Sequence, residues 1–224
     1  MTSNSKLGSK RKMKLSEKPL AMELKYALYI IFRPIAGYWD LKHERRGSFK
    51  AAMVILCIAL FTFVLMERYT AFLFNPVNLL EVNLFREMAT FLSVFWLFVV
   101  SGWCLTTLMD GKGTMKDIAI ATAYALTPFI IINIPLVFIS NYLTLQESAF
   151  YHLFMTISFI WTGGLIIFGT MVTHEYTMFK TIMTLVLIIL GMLIMLFLFL
   201  LFFSVIQRMI GLIYVLYQEI SFRM

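Results

Sequence analysis

Residues 181–207 read TIMTLVLIILGMLIMLFLFLLFFSVIQ, an uncharged run bounded by Lys180 and Arg208. A helix at a protein surface keeps a polar stripe, and this stretch has none. The hydrocarbon core of a bilayer is about 30 Å thick and takes about 20 apolar residues to cross. The run is long enough, so it reads as a membrane-spanning helix. The whole composition agrees. Hydrophobic residues make up 61% of the 224 positions and charged residues 14%, against roughly 45–50% and about 25% in a soluble domain. A soluble fold cannot cover itself with so little polar surface. A soluble enzyme, a disordered chain and a disulfide scaffold are excluded.

Working outward, the chain divides at its charges. Residues 51–66 are uncharged between Lys50 and Glu67, 88–109 between Glu87 and Asp110, 118–146 between Asp117 and Glu147, and 148–174 between Glu147 and Glu175. The first run is short but gains Ser48, Phe49 and a snorkelling Lys50. The expected fold is all-α, a polytopic membrane bundle of five transmembrane helices at about 49–66, 88–109, 118–140, 150–173 and 181–206. Residues 207–222 read as a helix that either continues the fifth span or lies in the interface. In the loop at 67–87, Asn75-Pro76 signals a turn, and LLEVNLFRE after it reads as a short surface helix. No internal repeat is visible.

Residues 1–50 hold 12 Lys and Arg against four acids, and the remaining chain holds seven against eight. Segment 1–19 is polar, basic and poor in aromatics, the composition of a disordered tail. Segment 20–50 follows as an amphipathic helix and a charged linker. Leu20, Leu24, Ala27, Leu28 and Ile31 share one helical face, and Pro34 and Gly37 break or bend the helix. It is too short to span, so it is expected in the cytoplasmic interface, with Tyr38 and Trp39 as anchors. Residues 51–224 form the membrane domain. With the basic head inside, alternation puts Lys112, Lys116 and Lys180 inside as well, 15 of the 19 basic residues in all. The reading is a multi-pass plasma-membrane protein, N-terminus cytoplasmic and C-terminus extracytoplasmic. Orientation explains the basic head better than nucleic-acid binding. A cleavable signal peptide is not expected.

The motifs carry little chemistry. His174-Glu175 lacks the second His of HExxH, since position 178 is Met178. Asp110-Gly-Lys-Gly-Thr114 has the wrong spacing for a phosphate loop and reads as a turn. Cys57 and Cys104 lie in apolar runs. No charged residue lies deep in a span, which argues against a pump or ion-coupled transporter. No catalytic residue, metal ligand, cofactor or small-molecule substrate is expected. Pro128 and Pro135, on one face of the third span, are candidate kinks. Ser158, Thr162, Gly163, Gly164 and Gly169 are candidates for close helix packing. Asp40, Glu44, Arg45, Arg46, Lys112, Lys116 and Glu175 fall in three inside segments and form a candidate interaction surface.

The stretches FRPIAGYWDLKHERRGSF, DGKGTMKD before AYALTPF, and THEYTMFKTIMTLVLIILGMLIMLFLFLLF together resemble bacterial members of the Yip family over roughly residues 22–222. These are five-span membrane proteins related to eukaryotic Rab-interacting proteins. The resemblance implies a non-enzymatic role in membrane organisation or traffic. The short basic head, in place of a longer cytosolic region, puts Rab binding in doubt. Two functions are expected to compete. One is a scaffold or adaptor that binds partner proteins or membrane lipid through its cytoplasmic face. The other is an accessory subunit packed against a transporter permease, such as that of an ABC importer. Self-association fits either.

Overall fold

The computed structural model describes residues 20–44, 47–74 and 83–223. Among them there are helices and turns and no strand. In chain order the helices are α1 (Leu20–Phe32), α2 (Pro34–His43), α3 (Phe49–Tyr69), α4 (Leu84–Leu108), α5 (Met115–Ala125), α6 (Thr127–Ser140), α7 (Ser148–His174) and α8 (Met178–Arg223). Five stretches are long and apolar enough to cross a membrane: Phe49–Tyr69, Leu84–Leu108, Met115–Ser140, Leu145–His174 and Met178–Glu219. The basic tail at 1–19, Arg45, Arg46 and the Asn75-Pro76 turn lie outside the described residues. Of the expected surface helix before the second span, residues 84–87 form the first turn of α4.

The helix ends gather on two faces. On one, here the head face, Lys42 and Lys112 both reach Glu175, and the Tyr176 hydroxyl donates to Met109 O. On the far face, Ala71 N donates to Ser140 Oγ, and Asn141 Nδ2 donates to Tyr69 O. Lipid is as apolar as leucine, so burial alone does not hold such helices together; close packing and hydrogen bonds do. The centre of the bundle is accordingly the alanine-rich α5. Ala119, Ala121, Ala123 and Ala125 are all buried, and α3, α4 and α7 pack around them.

The third span breaks at Leu126, between α5 and α6. Proline 128 has no N–H for the carbonyl of Tyr124, four residues back, and its ring crowds that carbonyl. The Thr127 hydroxyl takes the freed oxygen at 2.7 Å. At Pro135 helix α6 continues, with the proline inside it. One Asn133 Nδ2 hydrogen bond goes to Phe129 O and another crosses to Ser158 Oγ, at 2.8 and 2.7 Å. This ties α6 to α7 inside the bundle.

Small residues on α7 divide into two groups. Ser158 and Thr162 are buried, and a Cβ built on Gly169 would lie 3.1 Å from the Tyr38 ring. Gly163 and Gly164 meet nothing: a Cβ on either has no neighbour within 4 Å. The expectation of close packing at that pair is corrected, because no helix crosses there. The tight crossing sits elsewhere. Gly191 of α8 lies so close to α4 that a Cβ would come within 2.5 Å of Ser101 Oγ, and Ser101 Oγ donates to Ile188 O at 2.9 Å.

Helix α8 is continuous for 46 residues, so 207–222 extends the fifth helix rather than forming a separate one. At 1.5 Å per residue it runs about 69 Å. Thr181, Thr184 and Ile188 are buried near its start, while Leu193, Phe197, Leu201, Ile210 and Tyr217 are exposed along the rest.

The two kinds of glycine make a paired test. Gly191→Leu is expected to lower thermal stability in detergent by about 1–3 kcal/mol through overpacking. Gly164→Leu is expected to stay within about 0.5 kcal/mol of the parent. Parallel melting curves of the two variants, read by size-exclusion recovery after heating, check this.

Candidate functional site

The head face is assembled from three stretches far apart in sequence. Helices α4 and α7 both end there in the same way. Each closes with a bond from an N–H back to the carbonyl five residues earlier: Gly111 N to Thr106 O at 2.7 Å and Tyr176 N to Met171 O at 3.0 Å. That closure needs the residue before the donor in the left-handed region. Those residues are Asp110 and Glu175, at φ 57° and 56°. Glycine is the usual occupant, because other L residues are strained there.

The left-handed turn at Glu175 aims its carboxylate at the other segments. Oε1 accepts from Lys42 Nζ of α2 at 3.0 Å, and Oε2 accepts from Lys112 Nζ of the α4–α5 loop at 2.7 Å. His43 Nε2 lies 3.8 Å from Oε1, and its ring stacks on Trp39. The two lysine hydrogen bonds, Lys112 first, hold the Glu175 carboxyl down to about 2.

Beneath this tie lies His174, 3% exposed and the sole buried side chain among the described residues that is a carboxylate, imidazole, ammonium or guanidinium group. Its ring stacks on Tyr176, and its Nδ1 faces the Gly113 N–H at 3.4 Å. A Cβ on Gly111 would fall 2.6 Å from His174 Nδ1, and one on Gly113 would fall 2.8 Å from Cε1. The glycines of Asp110-Gly-Lys-Gly therefore let backbone lie on an imidazole. The C-terminal carbonyl of Met109 accepts from Tyr176 Oη and from Lys180 Nζ, both at 3.0 Å. Lys180 also sits 4.2 Å above the Tyr176 ring. A cation at a helix C-terminus is favourable in itself. Burial, with Asp110 nearby, raises the Tyr176 phenol.

Helices α1 and α2 are fastened to this face. Tyr26 Oη donates to Gly37 O at 3.0 Å and to Asp40 Oδ2 at 3.2 Å, which folds α1 back along α2. Ser48 Oγ, the cap of α3, donates to Glu23, and Tyr124 Oη donates to Glu23 O. Tyr38 is 1% exposed, and its hydroxyl donates to Ala121 O at 3.4 Å. Its expected role as an interfacial anchor is corrected: its ring fills the space that Gly169 leaves on α7. Trp39 next to it is exposed.

Of the candidate surface, Lys112 and Glu175 meet directly. Asp40 is turned toward Tyr26, and Glu44 N donates to Asp40 O at the end of α2. Lys116 is exposed on the first turn of α5, where Thr114 and Asp117 form a reciprocal cap. Arg45 and Arg46 lie outside the described residues. Lys42 and His43 are partners that sequence reasoning missed. The pairing of Lys42 with Glu175 joins positions 133 apart, and no local pattern announces it. Among the described residues no group of three or more His, Cys, Asp or Glu is placed to hold a metal ion.

The tie has a pH dependence. The folded-state value of Glu175 lies below that of an ordinary carboxylate, so its contribution is fully present above pH 4.5 and is lost as pH falls toward about 2. Glu175→Gln is therefore expected to melt below the parent at pH 7, and the gap is expected to close between pH 5 and pH 2. Glu175→Gly separates charge from backbone strain: it loses the tie but relaxes the left-handed turn, and is expected to melt above Glu175→Gln.

The Yip1 domain family matches residues 28–202, from within α1 through all the head-face segments and into α8. No curated protein matches the chain, and no solved structure does. A match over most of the length, together with five helices fit to cross a membrane, makes this a multi-pass membrane protein that belongs to the Yip1 domain family.

Proposed function

We propose that the chain is a non-enzymatic scaffold or adaptor of a plasma membrane, with its head face in the cytoplasm and its C-terminus outside. Partner proteins or anionic lipid are held on the head face. The observation that supports this reading is the tie at Glu175, which makes one surface of α2, the α4–α5 loop and the α7–α8 turn. That surface keeps basic groups in solvent: the Lys112 side chain is 68% exposed, and Lys116 is exposed too. Each basic residue near an anionic leaflet contributes about 1 kcal/mol. A second reading, an accessory subunit packed against a permease such as that of an ABC importer, is favoured by α8. Its apolar length beyond Leu193 is left open to the membrane, the surface that another membrane protein would cover.

Two experiments test the first reading. In a Cys57→Ser, Cys104→Ser background, Tyr142→Cys is expected to react with an impermeant thiol reagent in intact cells, and Lys116→Cys only after permeabilisation. The reverse pattern overturns the orientation. Neutralising Arg45, Arg46, Lys112 and Lys116 to Gln, with the tail charges kept, is expected to cut co-purified partner or anionic lipid by more than about tenfold while topology survives. Unchanged association in correctly oriented protein overturns the head-face reading. A permease that co-purifies equally with parent and variant supports the second.

A further inference from the structure

The α1–α2 hairpin has two apolar faces. One is inside the protein: Ala27, Ile30, Tyr38 and Leu41 are 3%, 0%, 1% and 8% exposed. The other is outside: Leu28, Phe32, Ile35 and Trp39 are 46%, 79%, 56% and 51% exposed. An amphipathic helix resting on a surface needs only one such face. The two arms run antiparallel, since Tyr26 reaches Asp40 and Gly37 packs on Ile30. Both open ends are at the head face, where Glu23 meets Ser48 and Lys42 meets Glu175. The tip, at Phe32, Arg33 and Pro34, therefore points into the bundle's depth.

The depth follows from what the hairpin touches. Tyr38 bonds to Ala121, six residues into the third span, about 9 Å from its head end. Helix α1 also packs against α6, which begins at Thr127, about 18 Å from that end. Half of a hydrocarbon core is about 15 Å. The hairpin fills the gap between α3, against α1, and α7, against α2. Val54, Ile58 and Phe61 of α3, the helix packed against α1, are exposed and apolar as well. Lys25, nearer the open end, and Arg33 at the tip are exposed, and both can extend their charged ends along the hairpin toward the head side of the leaflet.

We infer that α1–α2 is a re-entrant wedge seated in the acyl chains of one leaflet, the head leaflet, with anionic phospholipid as its ligand. It adds two helices to the protein's cross-section in that leaflet and stops near the midplane. A protein broader in one leaflet is accommodated best where that leaflet is convex. The chain thus binds preferentially to membrane curved toward its head face, a property that does not rest on which compartment that face occupies.

The full chain is reconstituted into phosphatidylcholine vesicles with and without phosphatidylserine, about 50 to 400 nm across, and protein per membrane area is counted vesicle by vesicle. Molecules with the head face outward are selected by impermeant labelling at Thr177→Cys, an exposed uncharged position of the α7–α8 turn, in the cysteine-free background. Their density is expected to rise at least about twofold from the largest to the smallest vesicles, more with phosphatidylserine. Phe32→Gln, Ile35→Gln and Trp39→Gln combined are expected to flatten the dependence. Density independent of diameter overturns the inference, as does a folded triple variant that keeps it. Should the triple variant not fold, a nitroxide at Phe32→Cys in the cysteine-free background decides. Access to oxygen over an aqueous nickel chelate supports insertion, and the opposite order overturns it.

Discussion

A carbonyl oxygen inside a bilayer has no water to turn to, and the fold depends on how each freed one is answered. Proline 128 strips Tyr124 O of its helical partner, and the hydroxyl of the preceding Thr127 supplies another. The end of α4 frees Met109 O, and Tyr176 and Lys180 both converge on it from the α7–α8 turn and the first turn of α8. These answers decide where a helix can stop or break. They also fix which segments must lie beside one another on the head face.

From that constraint the head face takes its character. Two helices terminate with acids in a conformation that glycine fills more cheaply, and one of those acids is held by two lysines. The strained backbone and the ion pairs belong together, since the left-handed turn is what directs the Glu175 carboxylate toward α2 and the α4–α5 loop. The loop in turn needs Gly111 and Gly113 to lie across His174. The face is a surface built by mutual contact of three segments, held by charge and close packing.

The spans were legible because charged residues are costly in hydrocarbon, so each uncharged run marks one crossing. Charge bias also brought 38–50, 110–117 and 174–180 to one side. Less legible was everything that depends on depth or partner choice. Tyr38 and Trp39 are adjacent aromatics beside a charge cluster, yet one is buried on Gly169 and the other exposed. Spacing alone did not distinguish Gly163 and Gly164, which face open space, from Gly191, which lies under Ser101. Lys42 and Lys112 look alike in composition, and only the fold brings both to one carboxylate.

Helix α8 is fastened at one end and free along the rest. Lys180, the Ser101 bond and the Gly191 crossing hold its first turns, and beyond them it leaves the bundle. Mechanically it is a cantilever whose free length past Gly191, 32 residues or about 48 Å, exceeds a hydrocarbon layer about 30 Å thick. Most residues along that length are exposed, so its tilting or bowing disturbs little packing. Thickness differences between membranes are thus absorbed by a single compliant element, and the packed core and its head face ride through them unstrained.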